Sequence, residues 1–132
     1  MPEYCMERAS VILNRFKKSL NGSEILVLGV AYKQDIDDFR ESPALVVIDI
    51  LKSMGAEVKF YDSYIPEYKY KGKNYQGETD LTAELLQSAD LVMVTAAHTN
   101  VDYDFVQQHA AFIFDTKNAM KAVVHRENIE LL

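Results

Sequence analysis

Leu26-Val27-Leu28-Gly29-Val30-Ala31-Tyr32-Lys33-Gln34-Asp35-Ile36-Asp37-Asp38-Phe39-Arg40-Glu41-Ser42-Pro43-Ala44 is the stretch that decides the fold. Its left end belongs to residues 24–30, a short apolar run centred on Ile25-Leu26-Val27-Leu28, which is how a strand buried on both faces reads. Its right end opens a helix: Ser42 is a good N-cap and Pro43 follows at the first helical position. Val47, Ile50, Leu51 and Met54 supply that helix with a buried stripe, and Gly55 ends it. Between strand and helix lies a polar loop, residues 29–41.

Outward from this unit the same alternation continues. Residues 57–62 read as a second strand, 91–96 as a third and 111–114 as a fourth. Asp80 is the expected cap of a helix running to about residue 88, and 103–109 is a short helix. In residues 63–77, Tyr64, Tyr68, Tyr70 and Tyr75 are interleaved with Lys69, Lys71 and Lys73; the expectation is a loop or irregular, solvated hairpin. Upstream, Cys5, Ala9, Ile12, Leu13, Phe16 and Leu20 recur at helical spacing, predicting a helix over about residues 3–20 with Asn21-Gly22 as its stop. The tail, residues 115–132, carries no clear pattern. Apolar strands alternating with helices predict an α/β fold, a Rossmann-like three-layer sandwich with a mainly parallel sheet, preceded by an N-terminal helix.

A chain of 132 residues with 48% hydrophobic and 26% charged residues has the composition of one soluble globular domain. A net charge of −6 argues against a nucleic-acid partner, which needs a basic footprint. No apolar run is long enough for a membrane span, and the first residues lack the pattern of a signal peptide. The single cysteine, Cys5, excludes an internal disulfide and fits a reducing, cytoplasmic setting.

Ligands of parallel sheets sit outside the carboxyl ends of the strands. At the first such end a dinucleotide site would carry G-x-G-x-x-G, but only Gly29 is present and the loop is too long for a tight phosphate turn. The loop instead carries Lys33 and Arg40 around Asp35, Asp37 and Asp38. Two readings stand: an anion site before a helix N-terminus, or a solvated loop whose aspartates pair with the two cations. Asp62, at the second end, reads as a turn aspartate holding backbone. His98, in His98-Thr99-Asn100 at the third, reads as a hydrogen-bonded structural histidine, with no second ligand at metal spacing and no partner for nucleophilic catalysis. Lys117, in Asp115-Thr116-Lys117-Asn118 at the fourth, is a further anion contact or a surface lysine. Cys5 falls on the buried stripe of the first helix and reads as packing.

Residues 26–44 resemble the signature of the UDP-glucose/GDP-mannose dehydrogenase family, whose C-terminal domain opens with a strand, a Gly, an aromatic-Lys pair, then D-D-x-R-E-S-P and a helix. Gly55-Ala56-Glu57-Val58 with Tyr61-Asp62, Ala89-Asp90-Leu91-Val92 with Thr95 and His98, and Phe114-Asp115-Thr116-Lys117-Asn118 resemble its later strands, the last leaning toward the UDP-N-acetylhexosamine branch. Met1-Pro2-Glu3-Tyr4 and the helix after it resemble the end of the family's central helical region. The resemblance implies residues 1–22 as that end and 23–132 as the nucleotide-sugar (UDP)-binding domain. The parent would be an NAD-dependent UDP-sugar 6-dehydrogenase of polysaccharide precursor synthesis, oxidising the sugar C6 alcohol to carboxylate. NAD would be held by an N-terminal domain and a homodimer made by the central one; these 132 residues carry no catalytic residue and would not turn over alone. Carried over by position, Tyr32 lies beside the nucleotide, Lys33 contacts the UDP-sugar, Lys117 stands where many members have an Arg near the substrate, and Arg40 reaches toward the cofactor. No metal is implied. Two competing readings are a flavodoxin-like or receiver-like signalling module, with Asp62 or Asp115 as acceptor, and a domain that mainly packs against a partner chain through its first helix.

Overall fold

The computed structural model of the chain describes residues 2–40 and 42–132; Met1 and Glu41, both within the stretches quoted for the family resemblance, lie outside the described residues. Five strands form the main sheet: β1 (Glu24–Leu28), β2 (Glu57–Tyr61), β5 (Leu91–Val94), β6 (Ile113–Asp115) and β7 (Ile129–Leu131), in the order β2-β1-β5-β6-β7. Every neighbouring pair is parallel. Pleating sends alternate residues of each strand to opposite faces. Ile25, Val27, Leu91, Met93 and Phe114 point into one core and Leu26, Leu28, Val92, Val94 and Ile113 into the other.

Helices cover both cores. α1 (Pro2–Arg15) and α2 (Pro43–Ser53) bury Cys5, Ala9, Ile12, Leu13, Ala44, Val47 and Leu51 in the first. α3 (Ala83–Ser88) and α4 (Tyr103–His109) bury Leu85, Leu86 and Val106 in the second. The three layers are those expected, and no helix of the described residues is long and apolar enough to cross a membrane.

Several boundaries differ from expectation. The first helix ends at Arg15, not near Leu20. Lys17 adopts φ 60°, Lys18 N–H donates to the Leu13 carbonyl and Lys17 N–H to that of Asn14, both at 3.0 Å. That is a Schellman motif with a lysine in the left-handed position. Phe16, just past the last turn, is exposed and meets the Phe112 ring at 5.5 Å instead of joining the buried stripe. Met54, at the C-cap of α2, is likewise exposed. The cap of α3 is Thr82, whose hydroxyl accepts from Leu85 N–H at 3.1 Å, and not Asp80. Leu81 and Leu86, immediately before the cap and in the fourth position after it, pack in the same cluster, and this staple fixes the cap two residues downstream of Asp80.

Residues 63–77 contain an antiparallel hairpin, β3 (Glu67–Tyr70) with β4 (Lys73–Gln76). It is less solvated than expected. Tyr68 and Ile65 are buried in the first core, Tyr68 contacting the rings of Phe60, Phe39 and Tyr75. The tail holds β7, which the sequence reading missed. Glu130 on β7 is bonded by Arg8 and Arg15 of α1, and Asn128 donates to the carbonyls of Gln107 and Ala110.

Candidate functional site

β1 has β2 on one side and β5 on the other, so the chain reverses its winding direction between β1 and β5. Crevices for ligands form at the carboxyl ends of strands at such a point. Gly29, the first residue past β1, has φ 91°, and a Cβ built there would lie 2.5 Å from that of Ala96. The two loops therefore touch backbone to backbone, and Thr95 fastens them with a hydroxyl bond to the Gly29 carbonyl.

In a dinucleotide fold the amides just past β1 face a pyrophosphate. Here a carboxylate occupies them. Asp62, at the end of β2, accepts from Val30 N–H at 2.8 Å and Ala31 N–H at 3.2 Å through Oδ2, and from Tyr64 N–H at 2.8 Å and Ile65 N–H at 3.1 Å through Oδ1. His98 Nε2 lies 2.9 Å from the same Oδ2, and Asp35 N–H donates to His98 Nδ1 at 2.7 Å. The acceptor role of Nδ1 places the ring proton on Nε2, which donates to Asp62. Asp62 and His98 are both buried. These residues do not fit an NAD pyrophosphate: the amides are taken, and the occupant is itself an anion.

Asp115, fully buried at the end of β6, organises the next turn in the same way. It accepts from the backbone N–H groups of Lys117 at 3.0 Å, Ala119 at 3.1 Å and Met120 at 2.9 Å. Both aspartates are structural anchors, as expected for Asp62. Neither has the exposure a phosphate-accepting aspartate of a receiver needs, which disfavours the signalling reading.

The exposed surface beside these anchors is different in kind. Tyr32, Lys33, Gln34, Thr95, Ala96, Ala97 and Lys117 surround a cavity of about 330 Å³ along the ends of β1, β5 and β6. Lys33 and Lys117 have no carboxylate partner among the described residues; the Lys33 ammonium lies 5.9 Å from the Tyr32 ring centroid. Of the open pair of loop readings, Arg40 follows the solvated one, bonded to Asp38 at 3.0 Å and holding that carboxyl below its ordinary range. Lys33 does not follow it. Asp35 is held by Thr99 instead, whose N–H and hydroxyl keep its carboxyl titrating low.

The structure thus brings Tyr32, Lys33 and Lys117 to one cavity. Arg40 does not join them; it lines a separate groove of about 440 Å³ with Phe39, Lys69 and Tyr70, between α2 and the β3–β4 hairpin. A smaller, mainly apolar cavity of about 160 Å³ adjoins the first through Tyr32 and Lys117 and is lined by Cys5, Val47, Thr116 and Leu132 among others. Burial pushes the Cys5 thiol up from its ordinary pKa, consistent with a packing role. Sequence reasoning missed Thr95, Ala96 and Ala97 as lining groups; a small residue opposite the lone Gly29 was the available signal. Among the described residues no cluster of ligating side chains could hold a metal.

A doubly wound sheet whose phosphate amides are plugged, with a cation-flanked cavity alongside, defines a ligand-binding α/β domain distinct from a dinucleotide-binding one. The profile of the "UDP-glucose/GDP-mannose dehydrogenase family, UDP binding domain" matches residues 26–122. The chain belongs to that family. Over 128 residues it is 31% identical to the UDP-N-acetyl-D-mannosamine dehydrogenase of Methanocaldococcus jannaschii, covering 91% of this chain and 27% of that enzyme. It is 37% identical over 79 residues to the UDP-glucose 6-dehydrogenase TuaD of Bacillus subtilis, covering 58% of this chain and 17% of that enzyme. The structure of the Staphylococcus aureus UDP-N-acetyl-mannosamine dehydrogenase Cap5O superposes with a TM-score of 0.73 at 26% identity, over 98% of this chain and 30% of that one. The chain therefore spans under a third of the length of these relatives.

Proposed function

We propose that residues 23–132 are the nucleotide-sugar-binding domain of an NAD-dependent UDP-sugar 6-dehydrogenase, with residues 1–22 the end of a central helical region. The observation that carries this is the cavity flanked by Lys33 and Lys117, two cations without a carboxylate partner among the described residues, in a domain of this family. A diphosphate placed there meets two ammonium groups, and Tyr32 offers a ring face to the nucleoside. The sugar reaches outward, toward wherever the oxidation occurs. Arg40, on its separate groove, is the cofactor-side contact.

The NAD chemistry and the thiol that attacks the sugar belong to residues outside these 132. The plugged amides at Asp62 and the buried Cys5 support that division of labour. What this domain supplies is binding, orientation and exclusion of water above the reacting sugar. The parent enzyme is read as a cytoplasmic homodimer that makes a uronic-acid precursor of polysaccharide.

Calorimetric titration of the chain with UDP-glucose, UDP-N-acetylglucosamine, UDP-N-acetylmannosamine and GDP-mannose tests the reading. UDP-sugars are expected to bind and NAD not to. Lys33→Ala and Lys117→Ala are each expected to weaken UDP-sugar binding about tenfold, the loss of one charge-assisted contact, with unchanged circular dichroism. Absence of heat from every sugar nucleotide in a folded sample sinks the proposal.

A further inference from the structure

We infer that the buried Asp62–His98 pair is a clamp that positions the ligand-facing segment Tyr32-Lys33-Gln34. The three residues hang between two anchors. On the upstream side, Val30 and Ala31 N–H donate to Asp62 Oδ2 at 2.8 and 3.2 Å. On the downstream side, Asp35 N–H donates to His98 Nδ1 at 2.7 Å. His98 Nε2 and Asp62 Oδ2, 2.9 Å apart, join the anchors into one unit that reaches from β2 to the loop after β5.

The ring of His98 has its orientation set from outside. Tyr64 meets it edge-on at 4.8 Å between centroids, and the Tyr103 hydroxyl donates to the His98 carbonyl at 2.8 Å. Further bonds hold the segment to the same frame: Asp35 carboxylate to Thr99 N–H and hydroxyl at 2.7 and 2.9 Å, and Tyr32 N–H to the Asp38 carbonyl at 2.7 Å. Asp35 takes φ 60°, a conformation that a non-glycine residue keeps only when its surroundings hold it there.

Lys33 itself makes no side-chain hydrogen bond within the described residues, so its ammonium is placed by the backbone and the neighbouring Tyr32 ring. A flexible lysine on a fixed backbone approaches an anion with less ordering left to do than one on a loose loop. His98 is suited to this because one neutral ring offers an acceptor and a donor on opposite edges, linking an amide to a carboxylate. It is a positioning residue and touches no ligand.

The inference builds on the UDP-sugar reading for its consequence but not for its structural content, and the two are tested by different readouts. Nitrogen-detected NMR of the 132-residue chain should show His98 as the Nε2–H tautomer. Amide hydrogen exchange should then show Tyr32 and Asp35 losing protection in His98→Ala while β1 and β5 keep theirs. His98→Gln, whose carboxamide offers a donor and an acceptor, should restore most of it. UDP-glucose affinity is expected to fall about tenfold in His98→Ala and to recover in His98→Gln. Unchanged segment protection in His98→Ala, an Nδ1–H tautomer, or loss of protection in core strands and segment together would overturn the clamp. Failure of the wild-type chain to bind UDP-glucose, with the exchange pattern as expected, would overturn the ligand reading and leave the clamp standing.

Discussion

Gly29 is the residue on which the site geometry turns. Its positive φ and the 2.5 Å approach of a built Cβ to Ala96 mean that two separate constraints exclude a side chain. Ala96 can retreat only by moving the end of β5, because the clashing atoms include its backbone nitrogen and oxygen at 2.8 Å. Gly29→Ala is therefore expected to lower stability by about 3 kcal/mol, read as an earlier urea midpoint, and to weaken UDP-sugar binding in the fraction that folds. A midpoint within error of the wild type would show that the strand ends are not locked together. At this scale the sequence was readable for type and not for contact. Gly29, Lys33, Asp62, His98 and Lys117 all stood out by position at strand ends. That Asp62 would turn inward to hold His98 and four amides, while Lys33 stayed without a carboxylate among three nearby aspartates, depends on which side chains the folded loops bring together.

Among the elements, the end of α1 offers the sharpest case. Lys17 sits in the left-handed position of a Schellman motif, where glycine is usual. Lys17→Gly should remove the cost of that conformation and raise stability by about 1 kcal/mol, seen as a higher melting temperature; a lower one would mean that the helix does not end there. The early stop escaped notice because Phe16 and Leu20 continue the apolar spacing, while the residues between them, Lys17-Lys18-Ser19, carry none of the glycine that announces a terminus. Elsewhere local chemistry sufficed. α2 begins at its Ser-Pro signal, with the Ser42 hydroxyl accepting from Ala44 N–H at 3.3 Å, and α4 covers the stretch expected. The Thr82 cap was masked by Asp80, an equally good cap by type, and settled by where Leu81 packs. β7 has three residues, too few for a period to show, and its pairing with β6 is a contact far from local chemistry.

At the scale of the molecule, the opposite ends of the chain meet. Burial opposes ionisation of Glu130 on β7, yet the hydrogen bonds from Arg8 and Arg15 outweigh it and hold the carboxyl below its ordinary pKa. A carboxyl depressed in the folded state contributes stability above its unfolded value, and that contribution fades as pH falls through the folded one. Thermal melts from pH 7 down to pH 3 should show this acid limb, and Glu130→Gln should flatten it and lower the neutral-pH melting temperature slightly, both arginines being partly exposed. Equal acid sensitivity in the variant would place the limb elsewhere. The three-layer plan followed from alternation alone, because strands buried on both faces leave little choice of architecture. The join between α1 and β7 did not, since it unites the first and last elements of the chain.

The carboxylate at Val30 and Ala31 also amounts to a competitor that never dissociates. A free phosphate reaching for those amides would have to expel a group tethered to the same fold and held by four backbone donors and a histidine. Dilution does not act on such a resident, so a dinucleotide would meet the same competitor at any concentration. The bias against a pyrophosphate at these two amides is thus inherited with the polypeptide, settled when the chain folds and before any ligand arrives.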